Sequence, residues 1–165
     1  MKASIQTIKI ILKVLLLIFL FTQCGVQKSG VQRQNEKQAE RIIKEAKKLT
    51  GTKYVYGGKS PKTGFDCSGF VSYVYKKVDV ALPAGSAALS KKGSSVSLKK
   101  VKKGDLLFFK GSNKKSKKVG HVAIVVENKS GRIKMIHAAS RGVVIDTYND
   151  MSYWTARFLF AKRIL

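Results

Sequence analysis

The chain has 165 residues, 44% of them hydrophobic, which suits one packed domain with a short extension and excludes a globally disordered polypeptide. Its formal net charge is +24, from 33 Lys and Arg against 9 Asp and Glu. Such an excess seeks anions: nucleic acid, anionic lipid, or anionic wall and surface polymers.

The N-terminus chooses among these. Lys2, Lys9 and Lys13 lead into an uninterrupted apolar run over residues 14–21, and Cys24 follows closely. The run is short for a membrane span and has the form of an export signal. The alternative is an uncleaved N-terminal anchor. Export makes intracellular nucleic acid the wrong partner. Phe21-Thr22-Gln23-Cys24 resembles the lipobox of bacterial lipoproteins, which implies that Cys24 is lipidated, becomes the mature N-terminus and holds the protein on a membrane. Gln23 departs from that pattern, in which a small residue precedes the Cys. Residues 1–24 are accordingly assigned to the signal, 25–35 to a flexible polar tether, and 36–165 to the folded domain. The chain has two cysteines, so a Cys24–Cys67 disulfide is the plain alternative to lipidation.

Asn35 with Gln38 three positions on has the form of a capping box. Behind it Ala39, Ile42, Ile43, Ala46 and Leu49 recur at helical spacing, and Gly51 can end the helix. Residues 52–65 hold four glycines or prolines and read as loop. A second helix begins near Cys67, capped by Asp66, with Phe70, Val71, Val74, Tyr75 and Val78 on one face. Residues 86–92 can form a short helix. Beyond Gly104 the pattern turns to strands over residues 106–110, 121–127, 132–138 and 143–147, rich in β-branched and aromatic residues. A helical turn over 149–154 and a strand over 156–164 complete the chain. Helices first and then a run of strands predict an α+β fold with an antiparallel sheet.

Cys67 stands at a helix start, where unpaired backbone N–H groups and the helix dipole favour a thiolate and can also hold an oxyanion. The adjacent Asp66 carboxylate opposes the thiolate and needs a separate reason to be there. The two histidines, His121 and His137, lie an even 16 positions apart around the turn signal Asn128-Lys129-Ser130-Gly131. A hairpin centred on Lys129 places them directly opposite each other on one face. A one-residue slip separates them. In the first case His121 can serve as base and His137 can orient it. In the second they are two unrelated half-buried histidines. A metal site of Cys67, His121 and His137 matches no usual zinc spacing.

Five segments then carry a resemblance: Gly51-Thr52-Lys53-Tyr54-Val55-Tyr56-Gly57-Gly58, Phe65-Asp66-Cys67-Ser68-Gly69-Phe70-Val71, Lys103-Gly104-Asp105-Leu106-Leu107-Phe108-Phe109, Gly120-His121-Val122-Ala123-Ile124-Val125 and Ile136-His137-Ala138. In order and spacing they resemble the motifs of the NlpC family of cell-wall cysteine peptidases. The resemblance implies a papain-like α+β fold in which helices pack on an antiparallel sheet. It implies Cys67 as nucleophile, His121 as base and His137 as the group that orients it, with no metal or organic cofactor. It also implies a substrate, the stem peptides of peptidoglycan, with the D-Glu–diamino acid bond foremost. A D-Ala–diamino acid cross-link, or a non-catalytic basic lipoprotein that binds the envelope, are the alternatives. In relatives that cut beside a free N-terminal L-Ala, the positions of Tyr54, Asp66 and Ser68 bind its ammonium. The plainer roles are a core aromatic, a helix cap and a first-turn residue. Ala84 stands where family members often carry Arg, and the segment 111–118 is longer and more basic than the resemblance predicts. The lysine-rich runs 99–103 and 114–118 are either solvated loops or contacts to anionic envelope polymers. They lack stacking aromatics, which argues against nucleic acid. The expected state is a monomer in the cell envelope.

Overall fold

The computed structural model describes residues 29–113 and 115–165. The expected export signal, Cys24, the first part of the expected tether up to residue 28, and Lys114 lie outside the described residues. Two compact units divide at Arg33 and Gln34, and the second holds all the expected site residues other than Cys24. Among the described residues no helix is long and apolar enough to cross a membrane.

Helix α1 spans Gly30–Lys47 and buries Ala39, Ile42, Ile43 and Ala46, the stripe its periodicity predicts. Its cap differs from expectation. Ser29 and Gln32 form the capping box: the Ser29 N–H donates to Gln32 Oε1 at 3.1 Å and the Gln32 N–H donates to Ser29 Oγ at 3.2 Å. Residues 30–35 are therefore helical, not tether. Gln38 is spent elsewhere, donating from Nε2 to the Val78 carbonyl at 3.0 Å.

The segment 52–65 is not wholly loop. Strands β1 (Lys59–Ser60) and β2 (Gly64–Phe65) pair as a small hairpin ahead of helix α2 (Cys67–Lys76). Asp66 caps α2 as expected, its carboxylate accepting from the Gly69 N–H at 2.6 Å. Phe70, Val71, Val74 and Tyr75 are buried along the inner face. Each such side chain contributes about 1.5–3 kcal/mol relative to exposure. Gly69 is required by close approach, because a β-carbon there collides with the Gly58 carbonyl.

Helix α3 (Ser86–Leu89) follows, then an edge strand that the pattern did not signal, β3 (Ser94–Val96). The remaining strands are β4 (Leu106–Lys110), β5 (Val119–Lys129), β6 (Arg132–Ala139), β7 (Gly142–Thr147) and β8 (Phe158–Arg163), with the one-turn helix α4 (Ser152–Thr155) before the last. They form one six-stranded antiparallel sheet in the order β3-β8-β4-β5-β6-β7. Side-chain alternation splits the core. Leu106, Phe108, Val122, Ile124 and Ile136 pack with α1 and α2, whereas Leu107, Phe109, Ala123, Met135 and Trp154 pack on the opposite face. The fold is α+β, as the order of elements predicts.

The β5–β6 hairpin turns on Ser130 and Gly131, both left-handed at φ 49° and 90°. It is therefore not centred on Lys129. A two-residue turn there sets Glu127 opposite Lys134, and continuing that register places His121 and His137 on opposite faces. A β-bulge intervenes. Val126 is an extra residue, so the next pairs are Val125↔Met135 and Ile124↔Ile136. The shift by one residue returns both histidines to the same face.

Candidate active site

Cys67 is a free, buried thiol at the first position of α2. The backbone N–H groups of Val122 on β5, and of Ser68 and Cys67 itself, act on its sulfur to favour the thiolate. The α2 start thus abuts the strand that carries His121. Burial pushes the Cys67 thiol above its ordinary value, the Val122 N–H works against that, and the Asp66 charge adds to it. The net direction is up. The helix start alone predicted a stabilised thiolate, but desolvation outweighs the backbone donors in the resting site.

His121 and His137 meet. His121 Nε2 lies 2.8 Å from His137 Nδ1, with the rings nearly perpendicular at 82°. His121 also stacks on Trp154, centroid to centroid 4.5 Å at 23°, and Trp154 packs in turn on Phe109 at 5.1 Å. Burial, and then the neighbouring His137, hold His121 well below its ordinary pKa, so the ring is neutral at rest. His137 is fully buried and is also lowered, because burial outweighs the carboxylate beside it.

That carboxylate is Asp146 on β7, with Oδ2 at 3.0 Å from His137 Nε2. Arg141, in the turn between β6 and β7, donates from one Nη2 to both Asp146 oxygens at 2.9 and 3.0 Å. Neither residue was singled out in the sequence. The available signal was register. His137 faces Val144 across the β6–β7 ladder, so Asp146 is its diagonal neighbour on the same face. Trp154 was assigned only to a helical turn, and nothing local places it under the imidazole.

The other candidates gather at the mouth of α2. Asp66 Oδ1 accepts from the Gly69 N–H and from Ser68 Oγ at 2.9 Å, while Oδ2 accepts from the Gly57 N–H at 3.1 Å. Oδ1 is saturated and Oδ2 keeps one acceptor site. Tyr54 is 37% exposed, so it is not a core aromatic. Its hydroxyl pKa is raised first by partial burial and then by Cys67 and Asp66, which puts it beside both. Tyr56 is 91% exposed on the same loop.

A neutral imidazole in contact with a second histidine, and a buried thiol at the start of α2 with backbone N–H groups acting on its sulfur, form a set that can support thiol acyl chemistry.

Comparison with known proteins bears on this arrangement. Residues 51–163 match the NlpC/P60 family model. The chain is 39% identical over 127 residues to the gamma-DL-glutamyl hydrolase of Bacillus subtilis, covering 76% of this chain and 30% of that protein. It is 35% identical over 127 residues to the bifunctional muramidase/DL-endopeptidase CwlT of the same organism, covering 76% of this chain and 36% of that one. Among solved structures, an NlpC/P60 family protein from Bacillus cereus superposes with a TM-score of 0.68 at 32% identity, covering 77% of this chain and 40% of the other. The NlpC/p60 domain of peptidoglycan hydrolase SagA gives 0.61 at 34% identity, covering 76% and 97%. The matched span contains every strand, the helix that begins at Cys67, and both histidines, and by it the chain belongs to the NlpC/P60 family.

Proposed function

We propose that this protein is an exported cysteine endopeptidase that hydrolyses an amide bond in peptidoglycan stem peptides. Cys67 is the nucleophile, His121 the base and His137 the residue that orients it. The observation that carries the reading is the 2.8 Å contact between His121 and His137 on the strand pair whose Val122 N–H meets the Cys67 sulfur.

The resting pair is neutral, thiol and imidazole, because burial disfavours both charges. When the substrate carbonyl arrives, His121 takes the thiol proton as sulfur bonds to carbon. The oxyanion forms beside the N–H groups at the start of α2, and these donors stabilise it. His121 then gives its proton to the leaving amine, the C–N bond breaks and a thioester remains. Water attacks the thioester, loses a proton to His121, and Cys67 leaves and is reprotonated.

The bond favoured is D-Glu–diamino acid. In support, one relative is named a gamma-DL-glutamyl hydrolase, which points to a γ-glutamyl bond, and another a DL-endopeptidase. The chain spans 30% and 36% of those proteins, so their substrates reach it only as part of this proposal. Asp66 Oδ2, Ser68 and Tyr54 form a subsite for a substrate ammonium beside the scissile amide. Lipidation at Cys24 holds the enzyme at the membrane, facing peptidoglycan, and the lysine-rich loops contact anionic envelope polymers.

The test is digestion of purified muropeptides by the full chain, with fragments weighed by mass spectrometry. Cleavage between D-Glu and the diamino acid is expected. Cys67→Ser and His121→Ala each remove it while leaving the thermal transition in place, and His137→Ala costs less than His121→Ala. Fragments cut only at D-Ala–diamino acid give the bond to the cross-link instead. No cleavage of any muropeptide leaves a non-catalytic envelope binder.

A further inference from the structure

The polar chain does not stop at His137. His121 Nε2, His137 Nδ1, His137 Nε2 and Asp146 Oδ2 follow one another at 2.8 and 3.0 Å across three adjacent strands, and Arg141 closes the far end. We infer that Asp146, clamped by Arg141, sets the tautomer of His121 two links away and so keeps its Nδ1 bare to take the thiol proton. Asp146 and Arg141 are positioning residues, not catalytic ones, and the inference rests on the assignment of His121 as base.

The logic is donor counting. Asp146 is ionised: burial works to raise its pKa, but hydrogen bonds from Arg141 and His137 outweigh it, and the net direction is down. An ionised carboxylate only accepts, so His137 Nε2 must carry the hydrogen. A neutral imidazole has one N–H, which leaves His137 Nδ1 as the acceptor. His121 Nε2 must then be the donor, and His121 Nδ1 holds the lone pair. Each choice is forced by the one before, and the sequence starts at a residue that touches neither Cys67 nor substrate. His137 alone does not decide this. A buried neutral ring between two polar groups can run its two hydrogen bonds in either direction, and the charge at its far end selects one. Arg141 matters because it donates to both oxygens, which fixes the carboxylate orientation and keeps it ionised.

Substitutions separate the charge from the shape. In Asp146→Asn the amide oxygen can stand in the place of Oδ2, where it accepts from both Arg141 and His137 Nε2 and keeps the wild-type tautomers, or the amide NH₂ can stand there and reverse them. In Asp146→Ala nothing faces His137 Nε2. With the charge gone neither direction is enforced, so both variants populate His121 with hydrogen on Nδ1, which the loss of a merely structural carboxylate would not produce.

The chain has only two histidines, so a ¹⁵N-histidine-labelled full chain in detergent shows two imidazoles. Long-range ¹H–¹⁵N spectra read each tautomer directly. Both wild-type rings are expected with hydrogen on Nε2, and both tautomers of each ring in Asp146→Ala. On a stem peptide, kcat is expected to fall in Asp146→Ala and Asp146→Asn in step with the fraction of His121 that carries hydrogen on Nδ1, with KM little changed and partial recovery in Asp146→Glu. Hydrogen on Nδ1 of wild-type His121 overturns the inference. So do Asp146→Ala and Asp146→Asn proteins that both keep the wild-type tautomers. The tautomers are read without substrate, so failure to cleave any muropeptide counts against the proposed function and leaves this inference standing on the spectra.

Discussion

His137 stands diagonally from His121, not directly across from it. Continuing the pairs Val125↔Met135 and Ile124↔Ile136 sets Ala123 opposite His137, and His121 is two residues further along β5. Diagonal neighbours on one face are about 7–8 Å apart at the backbone, a gap that two imidazoles can span. The relationship depends on the Val126 bulge, because the turn at Ser130 and Gly131 alone sets the opposite parity.

Deleting Val126 and inserting a residue should therefore differ in outcome. Without Val126, Glu127↔Lys134 and Val125↔Met135 become consecutive pairs and the histidines keep their alignment. Hydrolysis is expected to survive with some loss of stability from the missing buried side chain. An Ala inserted between Ala123 and Ile124 turns His121 to the other face, and hydrolysis is expected to disappear while the thermal transition persists. Activity in the insertion variant would sink the alignment argument.

The pH profile follows from burial. His121 is held well below 6.5 and Cys67 is raised above 9.0. Activity needs a neutral imidazole, so kcat/KM should fall only as pH drops through a value under 6.5 and should stay level to about pH 9. A thiolate–imidazolium resting pair predicts a thiol that alkylates rapidly at pH 5. Slow alkylation there, rising toward alkaline pH, is the expected result. Stability has the same sign. Between the unfolded histidine value near 6.5 and the lower folded one, the unfolded chain binds more protons, so the melting temperature should decline as pH falls below about 6.5.

Asp66 is a cap before it is anything else. Removing its carboxylate in Asp66→Ala should cost roughly 0.5–2 kcal/mol of stability, read from denaturant midpoints. Asp66→Asn keeps an oxygen for capping, so it isolates the ammonium subsite. If Oδ2 receives a substrate ammonium, Asp66→Asn should slow cleavage of a free tripeptide more than that of one still attached to sugar. Equal effects on both substrates reduce Asp66 to its cap.

The basic loop joining β4 to β5 gives a further expectation. Lys115, Lys117 and Lys118 are exposed there, and Lys114 adjoins them in sequence. Exposed charges are screened within about 8 Å at physiological salt. Binding of the full chain to isolated envelope should weaken as salt rises, and the four Lys→Gln changes should weaken it at low salt. Salt-independent binding in both forms would remove the loop from any role in recruitment.

Lipidation at Cys24 predicts that the precursor accumulates when lipoprotein signal peptidase is inhibited with globomycin. Unchanged processing, together with identical fractionation of Cys24→Ala, would count against it.

The local pattern was enough for the helix at Cys67 with its Asp66 cap and the strands from Leu106 onward, since periodicity, capping and turn residues act within a few positions. It was not enough for the capping box at Ser29 and Gln32, because two good caps lie within one stretch and the choice falls to packing. The two-residue strands β1 and β2 are too short to have a period. Only tertiary structure decided the register of His121 on His137, because a single bulge residue reverses every face behind it and β-branched residues fill both faces of β5. Asp146, Arg141 and Trp154 reach the histidines through strand order and chain return, which no short window of sequence contains. The resting protonation of Cys67 was decided the same way: a helix start favours the thiolate wherever it occurs, but how deeply the fold buries that start determines whether desolvation overrules it.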